Sequence, residues 1–231
     1  AVAAWLDERG AAHVLRSRSR RSVQAWVGAA LLGELGRRPE VAAVRRPDYV
    51  VVPDPVGEPL AVKAGTVTSE GVAASHADLW HAVGITGAGV KVGVVDAGFE
   101  SYVSMLGSEL PTTDRVTFRA FGGAQNSGSG DHGTACAEIV HDMAPGAELY
   151  LALVSTNVDI ENAIGWLQAN GVMVATMSLG FTTLSPHDGT GSLNDDIAAS
   201  VAGGDIAWAT SAGNSRQGHW QGRTTDSDGD G

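Results

Sequence analysis

Four short segments carry residue types that could do chemistry. The run Val92-Gly93-Val94-Val95 leads directly into Asp96, then Ala97-Gly98. A carboxylate at the tip of an apolar strand can hold and orient a cationic or hydrogen-bonding partner, although Asp before Gly also serves ordinary turns. The run Gly128–Asp131 precedes His132-Gly133-Thr134, with the His at the start of a helical pattern. Imidazole there could act as a general acid and base near neutral pH. Ser178-Leu179-Gly180 follows a third apolar run, and such an edge can take an extended peptide as an added strand. Ser211-Ala212-Gly213-Asn214 follows a fourth, and an Asn amide at a strand end can donate to a developing oxyanion. Each segment alone is compatible with turn chemistry.

The elements that must position these residues alternate between strand and helix. Continuous apolar runs at Val90–Val95, Glu148–Val154, Val172–Met177 and Ile206–Thr210 read as buried strands. The stretches His132–Met143, Ile160–Ala169 and Leu193–Ala202 between them read as helices. That alternation predicts an α/β fold of three layers, a mostly parallel sheet covered by helices on both faces. Such sheets place their sites at the carboxyl ends of the strands.

The first 46 residues read differently. They hold nine Arg against four acids, a net +5, while residues 47–231 are net −16 within a total of −11. The element order predicted for them is helix 2–10, strands 12–14 and 23–27, helix 29–38 and strand 41–46. With one further strand at its start, this order is the ferredoxin-like β-α-β-β-α-β unit. Pro47, Pro53, Pro55 and Pro59 mark a stiff extended linker. The expected division is therefore 1–60, a ferredoxin-like segment with its linker, and 61–231.

Composition removes other classes. The cluster Arg16, Arg18, Arg20 and Arg21 has no interleaved aromatics and precedes an acidic body, so it reads as a solvated turn and no nucleic-acid partner is expected. No run of about 18 apolar residues occurs, so no membrane span is expected. The single Cys136 excludes an internal disulfide and reads as a small core residue. Gly87-Ala88-Gly89 precedes its strand instead of following it, which is the wrong order for a dinucleotide fingerprint. The seven His contain no HExxH pair.

Taken together, the four segments resemble the landmarks of the subtilisin-like serine peptidase family (subtilases, peptidase S8). Val92–Gly98 is similar to its Asp motif and His132-Gly133-Thr134 to its His motif. Ala144-Pro145-Gly146-Ala147-Glu148-Leu149 is similar to the turn after the His helix, Met177–Gly180 to the substrate-binding strand, and Ala212-Gly213-Asn214 to the oxyanion Asn motif. The resemblance runs from about Gly84 to Asn214. It implies peptide hydrolysis by an Asp-His-Ser triad, in the chain order of subtilisin itself. Asp96 and His132 would be two members, Asn214 would assist the oxyanion, and Ser178, Leu179 and Gly180 would align the substrate. It also implies an N-terminal prodomain, with Pro39–Val44 similar to that domain's last turn, acting in cis on the active site. Protein or peptide substrates, no required cofactor, and an extracellular or cell-envelope location follow from the same resemblance.

The sequence departs from the family pattern in places. Ala135 stands where many subtilases have a second His, and Ala97 replaces the common Thr. Cys136 occupies a place where some subtilases have a free Cys. The family's Ser lies in a Gly-Thr-Ser segment, whereas Gly-Thr at 65–66, 133–134 and 189–190 is followed here by Val, Ala and Gly. The chain starts at Ala1 and stops in a Gly/Asp-rich stretch, so it is expected to be a fragment with its Ser beyond Gly231. The alternative is a non-catalytic relative that binds peptides or acts as a scaffold. Asp226, Asp228 and Asp230 match the start of a D-x-D-x-D-G loop and are candidate ligands of a structural calcium ion.

Overall fold

The computed structural model describes residues 1–18, 20–51, 67–123, 128, 130–181, 184 and 188–213. Helix α1 (Val2–Glu8), strands β1 (Ala12–Arg16) and β2 (Val23–Trp26) and helix α2 (Ala29–Leu35) come first. Two short helices follow, α3 (Glu70–Ala74) and α4 (Ala77–Ala82). The main body contains β3 (Lys91–Asp96), α5 (Tyr102–Met105), a 3-10 turn (Thr113–Arg115), β4 (Val116–Ala120), α6 (His132–Met143) and β5 (Glu148–Leu153). It continues through α7 (Asn157–Ala169), β6 (Val174–Met177), α8 (Ser192–Ala202) and β7 (Ala207–Thr210).

The expected mixed α/β architecture is present. Five parallel strands lie in the order β4-β5-β3-β6-β7, with β3 at the centre. The side-chain alternation of β3 divides the core into two layers. Val92 and Val94 pack with Leu149, Leu151, Leu153, Phe99 and Ala137 beneath α6. Val95 belongs to the opposite cluster, with Ile160, Ala163, Ile164 and Leu167 of α7. Gly93 lies on that same side, where an added Cβ would meet Leu167 at 3.0 Å. Its missing side chain lets α7 sit close to the central strand.

Asp96 shares the parity of Val92 and Val94, so it points toward the α6 layer. This is how the strand pattern delivers a carboxylate to the start of the His helix.

The N-terminal elements form a two-stranded antiparallel sheet, β1-β2, with α1 and α2. The strand expected at 41–46 is not formed. Residues 41–48 carry no strand, and Val44 remains 48% exposed. The chain makes its next pairings further on, at Tyr49 and Val51, with the main body.

The β1-β2 unit rests on the start of α7. The Ser17 hydroxyl donates to both carboxylate oxygens of the buried Glu161 (2.9 and 2.8 Å). Arg20 reaches Glu161 (3.3 Å), Asp196 (2.7 Å) and the Ser192 carbonyl (2.5 Å). Gln24 donates to Asp159 (3.3 Å) and accepts from the Thr156 hydroxyl (2.9 Å). Gly165 on α7 lies against the Arg18 guanidinium, which leaves no room for a side chain there. The basic segment and the acidic body thus meet through specific pairs.

A hydrogen bond to a charged group contributes about 1.5–3 kcal/mol. Arg20→Ala is therefore expected to weaken docking by about that amount. Hydrogen exchange should then show faster exchange at the β1-β2 amides, with α6 unaffected.

Candidate active site

The site lies at the carboxyl end of the sheet. Asp96 is the last residue of β3 and is fully buried. Its Oδ1 accepts from the backbone N–H of Ala97 (2.8 Å) and Gly98 (3.3 Å). Its Oδ2 lies 2.8 Å from His132 Nδ1. An ionised carboxylate only accepts, so Nδ1 carries the proton and Nε2 is the nitrogen available to a further donor. The His132 side chain is 35% exposed, against 1% for Asp96. The pair therefore has a dry end and a wet end.

Close backbone approach makes this contact possible. A Cβ on Gly133 would lie 2.6 Å from Asp96 Cβ and 2.7 Å from the Gly98 carbonyl oxygen. The absence of a side chain lets the first turn of α6 settle on the loop after β3. Its N–H donates to that Gly98 carbonyl (2.7 Å). Thr134, buried at 1% exposure, directs its own N–H to the same oxygen (3.3 Å).

Burial pushes the Asp96 carboxyl above the usual range, while His132 and the two backbone donors pull the other way. Cys136 stands one helical turn after His132. Burial and the nearby Asp96 push its thiol up to about 11, against a hydrogen bond with Ser178 that lowers it. The thiol is therefore protonated at neutral pH.

Among the described residues, one group of three metal-ligand types converges. Atoms of Asp96, His132 and Cys136 lie within 4.8 Å of one another. Asp96 is already engaged with His132 and two amides, an arrangement suited to proton handling.

Leu179 is buried in the core cluster, and Gly180 forms a pairing edge. The edge is occupied by the chain itself. Val51 N–H donates to the Gly180 carbonyl (2.7 Å), and Gly180 N–H donates to the Val51 carbonyl (3.0 Å). On its other side the same segment meets the residues after β5. Val50 N–H donates to the Ser155 carbonyl (2.9 Å), and Asn157 N–H donates to the Asp48 carbonyl (3.1 Å). Residues 48–51 thus run antiparallel between two strand ends, with Val50 packed on the core.

Of the residues singled out in the sequence, the structure brings Asp96, His132, Ser178, Leu179 and Gly180 to one end of the sheet. Asn214, Asp226, Asp228 and Asp230 lie outside the described residues, as does most of the stretch expected to be a linker. Sequence reasoning missed Ser155 as the second wall of the groove and took Tyr49–Val51 for linker alone. A Tyr-Val-Val-Val run between prolines was the available signal, because it is suited to an extended strand. It also passed over Asp131, whose place just before a helix is a signal for a capping residue.

Comparison with known families adds an independent finding. The subtilase family model matches residues 87–230. This chain belongs to the subtilase family, and with it to the serine peptidases at family level. No curated protein matches the chain.

The raised carboxyl of Asp96 has a measurable consequence. The stability it contributes is fully present below the ordinary Asp value of about 4 and declines as pH rises through the raised value. Asn cannot titrate, so the Tm of Asp96→Asn relative to wild type is expected to climb as pH rises above about 4. A Tm difference that falls over this range would contradict the burial argument.

Proposed function

We propose that the chain supplies the Asp and His of an Asp-His-Ser endopeptidase. The observation that carries this reading is the 2.8 Å contact between the buried Asp96 and His132, at the carboxyl end of the sheet and inside the subtilase match. His132 takes the proton of an attacking hydroxyl and returns it to the leaving amine. Asp96 fixes the tautomer and stabilises the imidazolium that forms. The peptide enters as an added strand along Ser178, Leu179 and Gly180. Asn214 donates to the oxyanion, a role worth about 3–4 kcal/mol of barrier in subtilisin.

In this reading residues 1–60 form a prodomain-like segment that acts in cis, and residues 61–231 form the first part of the catalytic domain. The pairing of Val51 with Gly180 supports it, because the edge that would hold substrate accepts an extended strand of the same chain. The chemistry requires no metal or organic cofactor. Asp226, Asp228 and Asp230 are candidate ligands for a structural calcium ion on spacing alone. Secretion to the cell exterior or envelope fits a proteinase held in check by its own N-terminal segment.

The 231 residues contain no Gly-Thr-Ser segment, so none of them is assigned as the attacking hydroxyl. This same fact favours the second reading, a peptide-binding relative without catalysis. A fluorophosphonate probe separates the two. The 231-residue chain is expected to remain unlabelled. A longer gene product that includes a Gly-Thr-Ser segment is expected to label at that Ser and to lose labelling in His132→Ala. Stoichiometric labelling of the 231-residue chain would overturn the assignment. A gene product without such a Ser would leave the peptide-binding reading.

A further inference from the structure

We propose that Asp131 is a positioning residue for His132, a role that rests on His132 being the general base. The Asp96–His132 contact depends on holding two loops together, the one after β3 and the one before α6. Most of the bonds between them are backbone to backbone. Glu100 N–H donates to the Gly130 carbonyl (3.1 Å), Gly133 N–H donates to the Gly98 carbonyl (2.7 Å), and Gly98 forms a bridge with Gly128. These bonds fix the approach of the loops. The Gly98 carbonyl also anchors the first α6 turn, and the residue beside His132 adds a side-chain tie to the same loop.

That residue is Asp131. Its Oδ1 accepts from the backbone N–H of Ser101 at 2.6 Å, on the loop that follows Asp96. The same oxygen accepts from the Thr134 hydroxyl at 3.3 Å, inside the first turn of α6. One carboxylate oxygen therefore joins the Asp96 loop to the His132 helix, next to the imidazole in sequence. Its backbone carbonyl accepts from Ala135 N–H (2.9 Å) and begins the helix. Glu100 adds a parallel tie, because its Oε2 accepts from Gly130 N–H at 3.2 Å. A negative charge at a helix start is also favoured by the helix dipole. Asp131 makes no contact with Asp96 or with the ring in this set of bonds, so it acts by placement.

The geometry separates acceptor from charge. Asn keeps an oxygen for Ser101 and Thr134, whereas Ala removes it. Proton NMR of the 231-residue chain provides the test, through the downfield Nδ1–H resonance of His132, identified by its loss in His132→Gln. Wild type and Asp131→Asn are expected to show it. Asp131→Ala is expected to lose it through faster exchange, with unchanged far-ultraviolet circular dichroism. In a hydrolysing gene product the same Ala variant should lose about 10- to 100-fold in kcat with KM nearly constant, and Asn should restore it. Asp131→Ser, with a shorter reach, serves in place of Ala if the Ala variant does not fold, and should weaken the resonance. A resonance equally sharp in wild type and Asp131→Ala overturns the positioning role alone. Failure of Asn to rescue also overturns it. Absence of the resonance from wild type overturns the Asp96–His132 pairing itself.

Discussion

Everything at the carboxyl end of this sheet depends on keeping one carboxylate dry and engaged. Asp96 is fully buried, and a buried charge without partners is costly. Three donors offset that cost, namely the Ala97 and Gly98 amides and the His132 ring. The amides come with the local turn. The ring has to be delivered by a helix that starts 36 residues later. Its delivery explains why Gly133 has no side chain, why Gly98 accepts from the start of α6, and why the Gly128–Asp131 segment is tied to the loop after β3.

The same end of the sheet also carries the strand pairing of the N-terminal segment with the body. Residues 48–51 fill the groove between the strand ends, and Ser17, Arg20 and Gln24 hold the β1-β2 unit on α7 and α8. The burial of Glu161 and Asp159 beneath that unit makes the docking chemically specific. Burial pushes Asp159 above the usual carboxyl range, opposed by the Ser155 and Thr156 amides, the Thr156 hydroxyl and Gln24. Charge complementarity between a basic N-terminal segment and an acidic body aids their encounter, and these buried pairs set the register.

Much of the body was legible in the sequence because its signals are strong and local. The Val-rich run ending in Asp96 marked the central strand, and α6 spans His132–Met143 as its periodicity implied. Edge strand β4, by contrast, was missed. Val116-Thr117-Phe118-Arg119-Ala120 is short and half exposed, and its pairing with β5 supplies what its pattern lacks. The strand expected at 41–46 failed for the opposite reason. Val41 and Val44 suit a strand, but residues 41–48 pair with neither edge of the β1-β2 sheet, and pairing decides. Asp96 and His132 were readable from type and position. The tie from Asp131 was not, since its Ser101 partner is 30 residues away in sequence and is joined only by the fold.

The central claim is that Asp96 and His132 handle the proton in peptide hydrolysis, and kinetics test it most directly. The measurement is kcat for a peptide substrate with a longer gene product that includes a Gly-Thr-Ser segment. The account predicts that His132→Ala lowers kcat by about a million-fold and Asp96→Asn by about ten-thousand-fold, the sizes known for such triads. Hydrolysis that survives His132→Ala at near the wild-type rate would contradict it.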